Sequence, residues 1–282
     1  MKPMLLASLA AAPLAFAQTP IEHQNLSADW YDAEGDTAVL VLHGTLAHKR
    51  MEIIQTFAEL LNDDYELPVL VPNLALNDPQ RPGMVDCSVP HDHTHMDAVK
   101  ELELWVEYLT QQGYSKVALL AHSRGGAQLA KYLQNPDEAI VAAGLVAPAT
   151  YSETKAREGY KNATGSDLSG WLSQAQSMAG DAVMTVPRFV YCEDAQVTAR
   201  AFLGYHQPSD QFDTPTLLRE VSTPVQIYVG SEDDVVADLP DRLAQEALDL
   251  AGGIVEIEGA DHFFRDLYAD DVISEFTSFI GY

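Results

Sequence analysis

Short apolar runs alternate along most of this chain with segments whose hydrophobic residues recur every three or four positions. Such runs are typical of strands buried on both faces, and the wider spacing is typical of amphipathic helices. The strands predicted in this way are 39–43, 68–71, 117–121, 139–147, 224–229 and 254–257. The predicted helices are 50–62, 96–111, 127–133, 240–250 and a closing helix that ends at Ile280. The alternation predicts an α/β fold with a doubly wound, mostly parallel sheet and helices on both of its faces.

The alternation breaks at two places in the chain. Residues 19–36 form a short leader with one predicted strand at 26–31, so we expect the first edge of the sheet to be reduced. Residues 149–223 are polar and carry aromatic side chains at irregular spacing. Long insertions between regular units are commonly functional. We therefore expect a mostly helical lid at 149–223, inserted into a core that consists of 18–148 and 224–282.

The first 17 residues have the pattern of a secretory signal peptide. Lys2 supplies a positive start, residues 4–16 are mostly apolar, and Ala15-Phe16-Ala17 fits a small-x-small cleavage site. The apolar part is shorter than the about 20 residues that a membrane span needs, and no later stretch is long and apolar enough. We therefore expect an exported protein, periplasmic or secreted, whose mature chain begins near Gln18.

Cysteine usage agrees with export. Cys87 and Cys192 are the two cysteines of the chain, and an even number in an exported protein favours a disulfide. The bond would join the loop after the second core strand to the insertion. The alternative is a pair of reduced thiols that do not meet.

Charge narrows the choice of partners. Acidic residues outnumber basic residues by 42 to 16, which gives a formal net charge of −26. Repulsion of this size argues against nucleic acid and anionic membrane surfaces. Hydrophobic residues make up 47% of the chain, which is enough for a large core and argues against global disorder. A small-molecule substrate is the expected partner, and nothing in the composition indicates an oligomeric state.

A serine stands between a predicted strand and a predicted helix. The apolar run 116–121 leads to Ser123, and small residues surround it at Ala121, Gly125 and Gly126. This context of strand, tight turn and helix is what a nucleophile elbow needs, because larger side chains would collide with the backbone there. The alternative is an ordinary serine in a strand-to-helix loop.

Three other strands end in residues that a serine nucleophile requires. The first core strand ends in His43-Gly44-Thr45, and the strand 224–229 is followed by Glu232-Asp233-Asp234. The last strand leads to Asp261-His262. A nucleophilic serine needs a base, an acid that orients the base, and donors for the oxyanion. The order along the chain is serine, acid, histidine.

From residue 39 to the last helix, these four motifs resemble the α/β-hydrolase superfamily. The resemblance implies an α/β-hydrolase-like fold in which Ser123 is the nucleophile, Asp233 the acid and His262 the base. It also implies an oxyanion hole made by the backbone N–H groups of Thr45 and Arg124. Haloalkane dehalogenases and epoxide hydrolases of the superfamily carry aspartate at the elbow, so the serine disfavours those activities.

Several positions keep more than one interpretation. Glu232 or Asp234 could orient the histidine in place of Asp233. His43 could contact substrate, although we expect it to fix the loop so that the Thr45 N–H points at the oxyanion. The Arg124 side chain could contact substrate as well. Among the aromatic residues of the insertion, the candidate substrate contacts are Tyr151 and Trp171.

The run His91-Asp92-His93-Thr94-His95-Met96-Asp97 is rich in metal-ligand types. Three imidazoles and two carboxylates could bind zinc or another transition metal. However, Pro90 precedes the run, and its Asp and Thr residues suit a helix N-terminus. We therefore expect solvated loop and capping residues and assign no metal. The histidine run, together with the elbow sequence His-Ser-Arg-Gly-Gly at 122–126, resembles exported bacterial α/β-hydrolase-like proteins of undefined function.

The function that these features predict is hydrolysis of a carboxylic ester through an acyl-enzyme, with no cofactor. Two alternatives stay open. One keeps the triad and cleaves an amide, peptide or thioester. The other is a non-catalytic periplasmic binding protein that kept the fold. Such a protein could bind a metal through His91, His93 and His95.

Overall fold

A computed structural model describes residues 18–282 of the chain. The predicted signal peptide, residues 1–17, lies outside the described residues. Between residues 18 and 282, no helix combines the length and the apolar composition that crossing a membrane requires.

An eight-stranded sheet forms the centre of the molecule, with the strand order β1-β2-β4-β3-β5-β6-β9-β10. Strands β3 to β10 of this sheet run parallel, and β1 and β2 are antiparallel to their neighbours. A mostly parallel sheet is thus confirmed. Its strands are β1 Thr19–His23, β2 Leu26–Tyr31, β3 Thr37–Leu42, β4 Val69–Asn73, β5 Lys116–His122, β6 Ile140–Val146, β9 Val225–Gly230 and β10 Gly253–Ile257.

Helices flank the sheet in two groups, since α1 packs against α9 and α2 packs against α3. The α/β class and the doubly wound arrangement are therefore confirmed. The helices of these groups are α1 Glu52–Asp63, α2 Asp97–Gln111, α3 Arg124–Tyr132 and α9 Leu267–Ile280, and α8 Leu239–Glu246 precedes β10. Every residue of β3 is buried, which is the reason that this strand is an unbroken apolar run in the sequence.

The first edge of the sheet differs from the expectation. Instead of a reduced edge, β1 and β2 form an antiparallel hairpin that pairs with β4. Gln24 and Asn25 form its turn with φ of 48° and 65°, the backbone that a two-residue hairpin turn requires. The strand β1 is mostly exposed, so it lacks the apolar run on which the sequence prediction depended.

Residues 149–223 lie between β6 and β9, and their secondary structure includes more than the predicted helices. They contain helices, as expected, but also an antiparallel two-stranded sheet of β7 and β8. Buried and exposed residues alternate along these strands, a pattern too weak to stand out in a polar segment. That the segment acts as a lid stays a prediction. Its elements are α4 Glu153–Thr164, α5 Leu168–Gln176, β7 Val183–Phe189, β8 Cys192–Thr198, α6 Ala199–His206 and α7 Thr214–Leu217.

A disulfide joins Cys87 to Cys192, as the sequence predicted. It links the loop after β4 to the first residue of β8. Backbone hydrogen bonds continue the connection, because His91 N–H donates to Gln196 O and Thr198 N–H donates to His91 O. The loop before α2 is therefore tied to the β7–β8 hairpin by both covalent and hydrogen bonds.

Candidate active site

Ser123 occupies the sharp turn between β5 and α3. Its backbone has φ 55° and ψ −124°, a conformation that L-residues rarely adopt. Three backbone hydrogen bonds hold it there. Ser123 N–H donates to Val146 O at 2.9 Å, and Ser123 O accepts from Gly126 N–H at 2.9 Å and from Ala149 N–H at 3.1 Å. Unfavourable backbone of this kind persists only where the surroundings impose it, and it is characteristic of a nucleophile elbow.

The glycines after the serine allow the turn to pass close to other backbone. A Cβ atom on Gly125 would lie 2.5 Å from His43 O, and one on Gly126 would lie 2.7 Å from the Pro148 Cβ. Neither position has room for a methyl group. Ala121, by contrast, is buried without such a conflict.

The structure brings Ser123, His262 and Asp233 together, although they come from three separate loops. His262 Nε2 lies 3.0 Å from Ser123 Oγ, so the hydroxyl can donate to the imidazole. His262 Nδ1 lies 2.8 Å from Asp233 Oδ2, so the Nδ1–H can donate to the carboxylate. The His262 and Asp233 side chains are only 6% and 5% exposed. A hydrogen-bonded chain therefore runs from the hydroxyl to the carboxylate with little access for water.

The environment of Asp233 favours its charged form. Burial by itself raises the pKa of Asp233, but the hydrogen bond from His262 and those from the Val236 and Val235 amides outweigh it and hold the pKa below its usual value. The two amides donate to Oδ1 at 3.0 and 2.8 Å. An ionised carboxylate in this position can orient the imidazole and stabilise an imidazolium.

The neighbouring acids do not share this position. Glu232 and Asp234 are exposed at the surface, and within residues 18–282 neither makes a hydrogen bond to His262. Of the three acids that the sequence left open, Asp233 is the one in contact with the histidine.

Two backbone amides near Ser123 are available as donors. Within the described chain, the N–H groups of Thr45 and Arg124 have no hydrogen-bond partner. The Thr45 loop passes close to the serine, because a Cβ on Gly44 would lie 3.1 Å from the Ser123 Cβ. Arg124 Nε donates to Thr45 Oγ1 at 3.2 Å, which connects the two residues directly. Arg124 also begins α3, where the helix dipole favours negative charge.

His43 is completely buried behind the Thr45 loop. Its Nε2 accepts a hydrogen bond from Leu74 N–H at 3.1 Å, and its Nδ1 lies 3.1 Å from Gly44 O. Burial lowers the pKa of His43 to about 3, with the nearby Arg81 adding to the effect, so the ring is neutral. The side chain has no exposed surface that could contact a substrate, which leaves support of the loop as its structural role.

The two aromatic candidates of the insertion lie in different surroundings. Tyr151 lines a cavity of about 380 Å³ that also includes Arg124. Trp171, on α5, is half-buried against the hydrophobic core and does not line that cavity. Sequence reasoning did not single out Arg188 or His206, which also line it, because single residues in a polar segment give no periodic signal.

The histidine run is not a solvated loop, contrary to the expectation. His91, His93 and His95 are all buried, and their rings pack against Phe189, Tyr205 and Phe212. Burial lowers the pKa of both His93 and His95 to about 3. In residues 18–282, no group of three or more His, Cys, Asp or Glu side chains is arranged to hold a metal ion.

The polar side chains of the run do not cap α2, contrary to the expectation, because its N-cap is Met96 and no side chain makes a cap hydrogen bond there. Asp97 begins α2, and its carboxylate accepts a hydrogen bond from Thr94 N–H at 2.7 Å. Asp92 instead accepts from Thr198 Oγ1 at 2.6 Å and pairs with Arg200. The run therefore connects α2 to the β7–β8 hairpin.

The fold and this arrangement of side chains define the class of protein: a mostly parallel α/β sheet with a serine at a nucleophile elbow. The model of the alpha/beta hydrolase family matches residues 39–275. The chain therefore belongs to the alpha/beta hydrolase family. No curated protein matches the sequence.

Solved structures of similar fold agree with this assignment. Est1E from Butyrivibrio proteoclasticus is 15% identical, with a TM-score of 0.61 over 94% of this chain and 99% of its own. A Pyrococcus furiosus esterase is 13% identical, with a TM-score of 0.61 over 99% of this chain and 95% of its own. DcsB, solved with a substrate analogue, is 14% identical, with a TM-score of 0.68 over 94% of this chain and 99% of its own. At these identities, the likeness extends to the fold alone.

Proposed function

We propose that this protein hydrolyses carboxylic esters through an acyl-enzyme intermediate on Ser123. The observation that supports the proposal most directly is the hydrogen-bonded chain from Ser123 Oγ through His262 to Asp233. A free serine hydroxyl is a poor nucleophile, and a histidine within hydrogen-bond distance is what activates it. The Pyrococcus furiosus neighbour is an esterase by name, which makes an ester the first substrate class to test.

In the first half of the reaction, Ser123 Oγ attacks the ester carbonyl carbon while His262 Nε2 takes the hydroxyl proton. The tetrahedral intermediate then collapses, the bond to the alcohol oxygen breaks, and His262 gives its proton to the departing alcohol. Asp233 stays ionised and stabilises the imidazolium. The product of this half is the acyl group bound to Ser123.

In the second half, a water molecule attacks the acyl carbonyl and gives its proton to His262. The bond to Ser123 Oγ breaks, the proton returns to Oγ, and the carboxylic acid leaves. In both halves the N–H groups of Thr45 and Arg124 would bind the oxyanion. Donors preorganised in this way commonly account for a large part of such rate enhancements.

We also propose that the protein is exported, as periplasmic or secreted proteins are. The signal-like residues 1–17 and the disulfide between Cys87 and Cys192 support this location, because disulfides persist in oxidising compartments.

The test is hydrolysis of p-nitrophenyl esters of graded acyl length by the wild type and by Ser123→Ala. We expect a loss of kcat/KM of about a thousandfold or more, as for other triad removals. Ser173→Ala, an exposed serine on α5, is the matched control and should retain full activity. A phosphonate probe that labels active serines should modify the wild type but not Ser123→Ala. If the wild type neither hydrolyses esters nor reacts with the probe, the result would favour a binding protein. If the probe labels Ser123 but the protein hydrolyses only amides or thioesters, the proposed substrate class would be wrong.

A further inference from the structure

A cavity of about 380 Å³ adjoins the elbow and is walled mostly by the insertion. Arg124, which follows Ser123 in the chain, lines it. So does Ala149, whose N–H donates to Ser123 O at 3.1 Å. Aromatic rings provide much of the remaining wall, contributed by Tyr151, Tyr160, Tyr205 and Phe212. Ser123 itself does not line the cavity, but Arg124 and Ala149 beside it do, and the volume is large enough for part of a small-molecule substrate.

The charge of this cavity is opposite to that of the protein. The chain has a formal net charge of −26, yet the cavity is lined by Arg124, Lys155 and Arg188 and by no acidic residue. Lys155 is neutralised by an ion pair with Asp238 at 2.8 Å. A local positive site in a strongly acidic protein concentrates anions that the rest of the surface repels.

The two arginines have no counter-charge within the described chain. Arg124 Nε donates to the Thr45 hydroxyl at 3.2 Å, and Arg188 Nε donates to Val190 O at 2.7 Å. Both acceptors are neutral. Each guanidinium has five N–H donors in a planar fork that matches a carboxylate, so most of these donors stay available. The Arg124 guanidinium also lies 5.5 Å from the centre of the Tyr205 ring, which restricts its position.

Other polar atoms of the wall also lack partners. The Tyr151 hydroxyl and His206 Nε2 are buried with no hydrogen-bond partner in residues 18–282. Burial lowers the pKa of His206 to about 3, so its ring is neutral and one ring nitrogen carries a proton that it can donate. Both atoms are covered by neighbouring groups, so they would contact a ligand only after a local rearrangement, and the two arginines are the donors that line the cavity.

We propose that the substrate ester carries a carboxylate group, which Arg124 and Arg188 bind in this cavity while the ester carbonyl lies at Ser123. The inference rests on the proposed function and narrows it to anionic esters. Binding the carboxylate uses the N–H donors that the protein leaves unpaired. A neutral ester of the same size would leave those donors without acceptors, and such a site discriminates strongly against it.

Two matched pairs of esters test the inference. The first pair places the charge on the acyl group: the mono-4-nitrophenyl ester of glutaric acid against 4-nitrophenyl pentanoate. The second pair places the charge on the leaving group: 4-acetoxybenzoate against methyl 4-acetoxybenzoate, with hydrolysis of the acetyl ester measured in both. Each enzymatic rate is divided by the rate at which hydroxide hydrolyses the same acetyl ester, which corrects for the different reactivity of the two esters. In one of the pairs we expect kcat/KM to favour the anionic ester by about tenfold or more. Added salt should weaken this preference by screening.

Equal or preferential hydrolysis of the neutral ester in both pairs would overturn this inference and leave the proposed function intact. Failure to hydrolyse any of the four esters, together with no labelling of Ser123 by the phosphonate probe, would overturn both.

Arg188 provides the second arm of the test. In Arg188→Gln the ratio of kcat/KM for the anionic ester to that for its neutral partner should fall by about tenfold, and Arg188→Lys should restore part of it because it restores the charge. Arg157→Gln is the matched control: Arg157 is also in the insertion, pairs with Glu153 and does not line the cavity, so the ratio should not change. An unchanged ratio in folded Arg188→Gln would contradict the proposal.

Discussion

The imidazole of His122 donates from Nε2 to the backbone oxygen of His262 at 2.8 Å. The residue before the proposed nucleophile thus binds the loop of the proposed base. Burial, together with the nearby His262, lowers the pKa of His122 to about 4, so the ring is neutral at pH 7 and can keep its proton on Nε2. The two rings also lie 4.9 Å apart, centre to centre. We therefore expect His122 to act as a positioning residue for His262.

We expect His122→Leu to lower kcat by about tenfold or more with little change in KM, because a small misplacement of a general base is costly. His122→Gln should retain more activity, since its amide can still donate to the carbonyl. Both variants should be compared at equal folded fraction, measured by circular dichroism. Equal kcat values in the two variants would indicate that only side-chain volume matters at this position.

Asp233→Asn should lower kcat by about 10³ to 10⁴-fold, because an amide no longer stabilises the imidazolium and can select the wrong imidazole tautomer. Glu232→Gln and Asp234→Asn remove the adjacent charges, which are exposed, and should stay within about twofold of the wild type. Steady-state ester hydrolysis measures all three. A larger loss in either neighbour than in Asp233→Asn would transfer the role of the acid to that residue.

Gly125→Ala should destabilise the protein by about 1–3 kcal/mol and impair catalysis, because the added methyl would force the elbow away from His43 O. Gly170→Ala is the matched control in α5. A Cβ on Gly170 meets nothing within 4 Å, and alanine favours helix, so this variant should gain about 0.5–1 kcal/mol. Urea unfolding gives both free energies. Wild-type stability in Gly125→Ala would mean that the turn can relax at no cost.

Glu101 should make stability fall as the pH rises towards neutrality. Burial raises the pKa of Glu101 from 4.5 to about 7, and the Ala75 N–H that donates to it at 2.9 Å offsets only part of the effect. The folded protein therefore binds more protons than the unfolded chain between these values. Its contribution is fully present below pH 4.5 and is lost as the pH rises through about 7.

The free energy of unfolding should accordingly contain a term of at most about 3 kcal/mol that disappears in Glu101→Gln, with the variant more stable than the wild type at pH 8. Glu103→Gln, an exposed position on the same helix, should leave the pH dependence unchanged. Urea unfolding between pH 4 and pH 8 measures the slopes. Parallel curves for the wild type and Glu101→Gln would show that Glu101 ionises normally.

The sequence by itself determined the central strands and the residues of the candidate triad. Strands such as β3 and β5 are buried on both faces, so burial alone makes them continuous apolar runs. The elbow at Ser123 is visible in consecutive residues as well, because Gly125 and Gly126 follow it, although the atoms that exclude a side chain there belong to His43 and Pro148. Such features fall on consecutive residues, so they can be recognised without the structure, and the order of serine, acid and histidine is part of the sequence itself.

Only the tertiary structure decided features that depend on contacts between distant segments. The hairpin of β7 and β8 exists because two weakly amphipathic stretches pair with each other. His91, His93 and His95 are buried because Phe189, Tyr205 and Phe212 cover them, and no local pattern reveals that cover. Arg124 and Arg188 line one cavity although 64 positions separate them. Whether a side chain is buried, and whether its charge is paired, depends on residues that are distant in the sequence. Its sequence neighbours therefore do not determine either property.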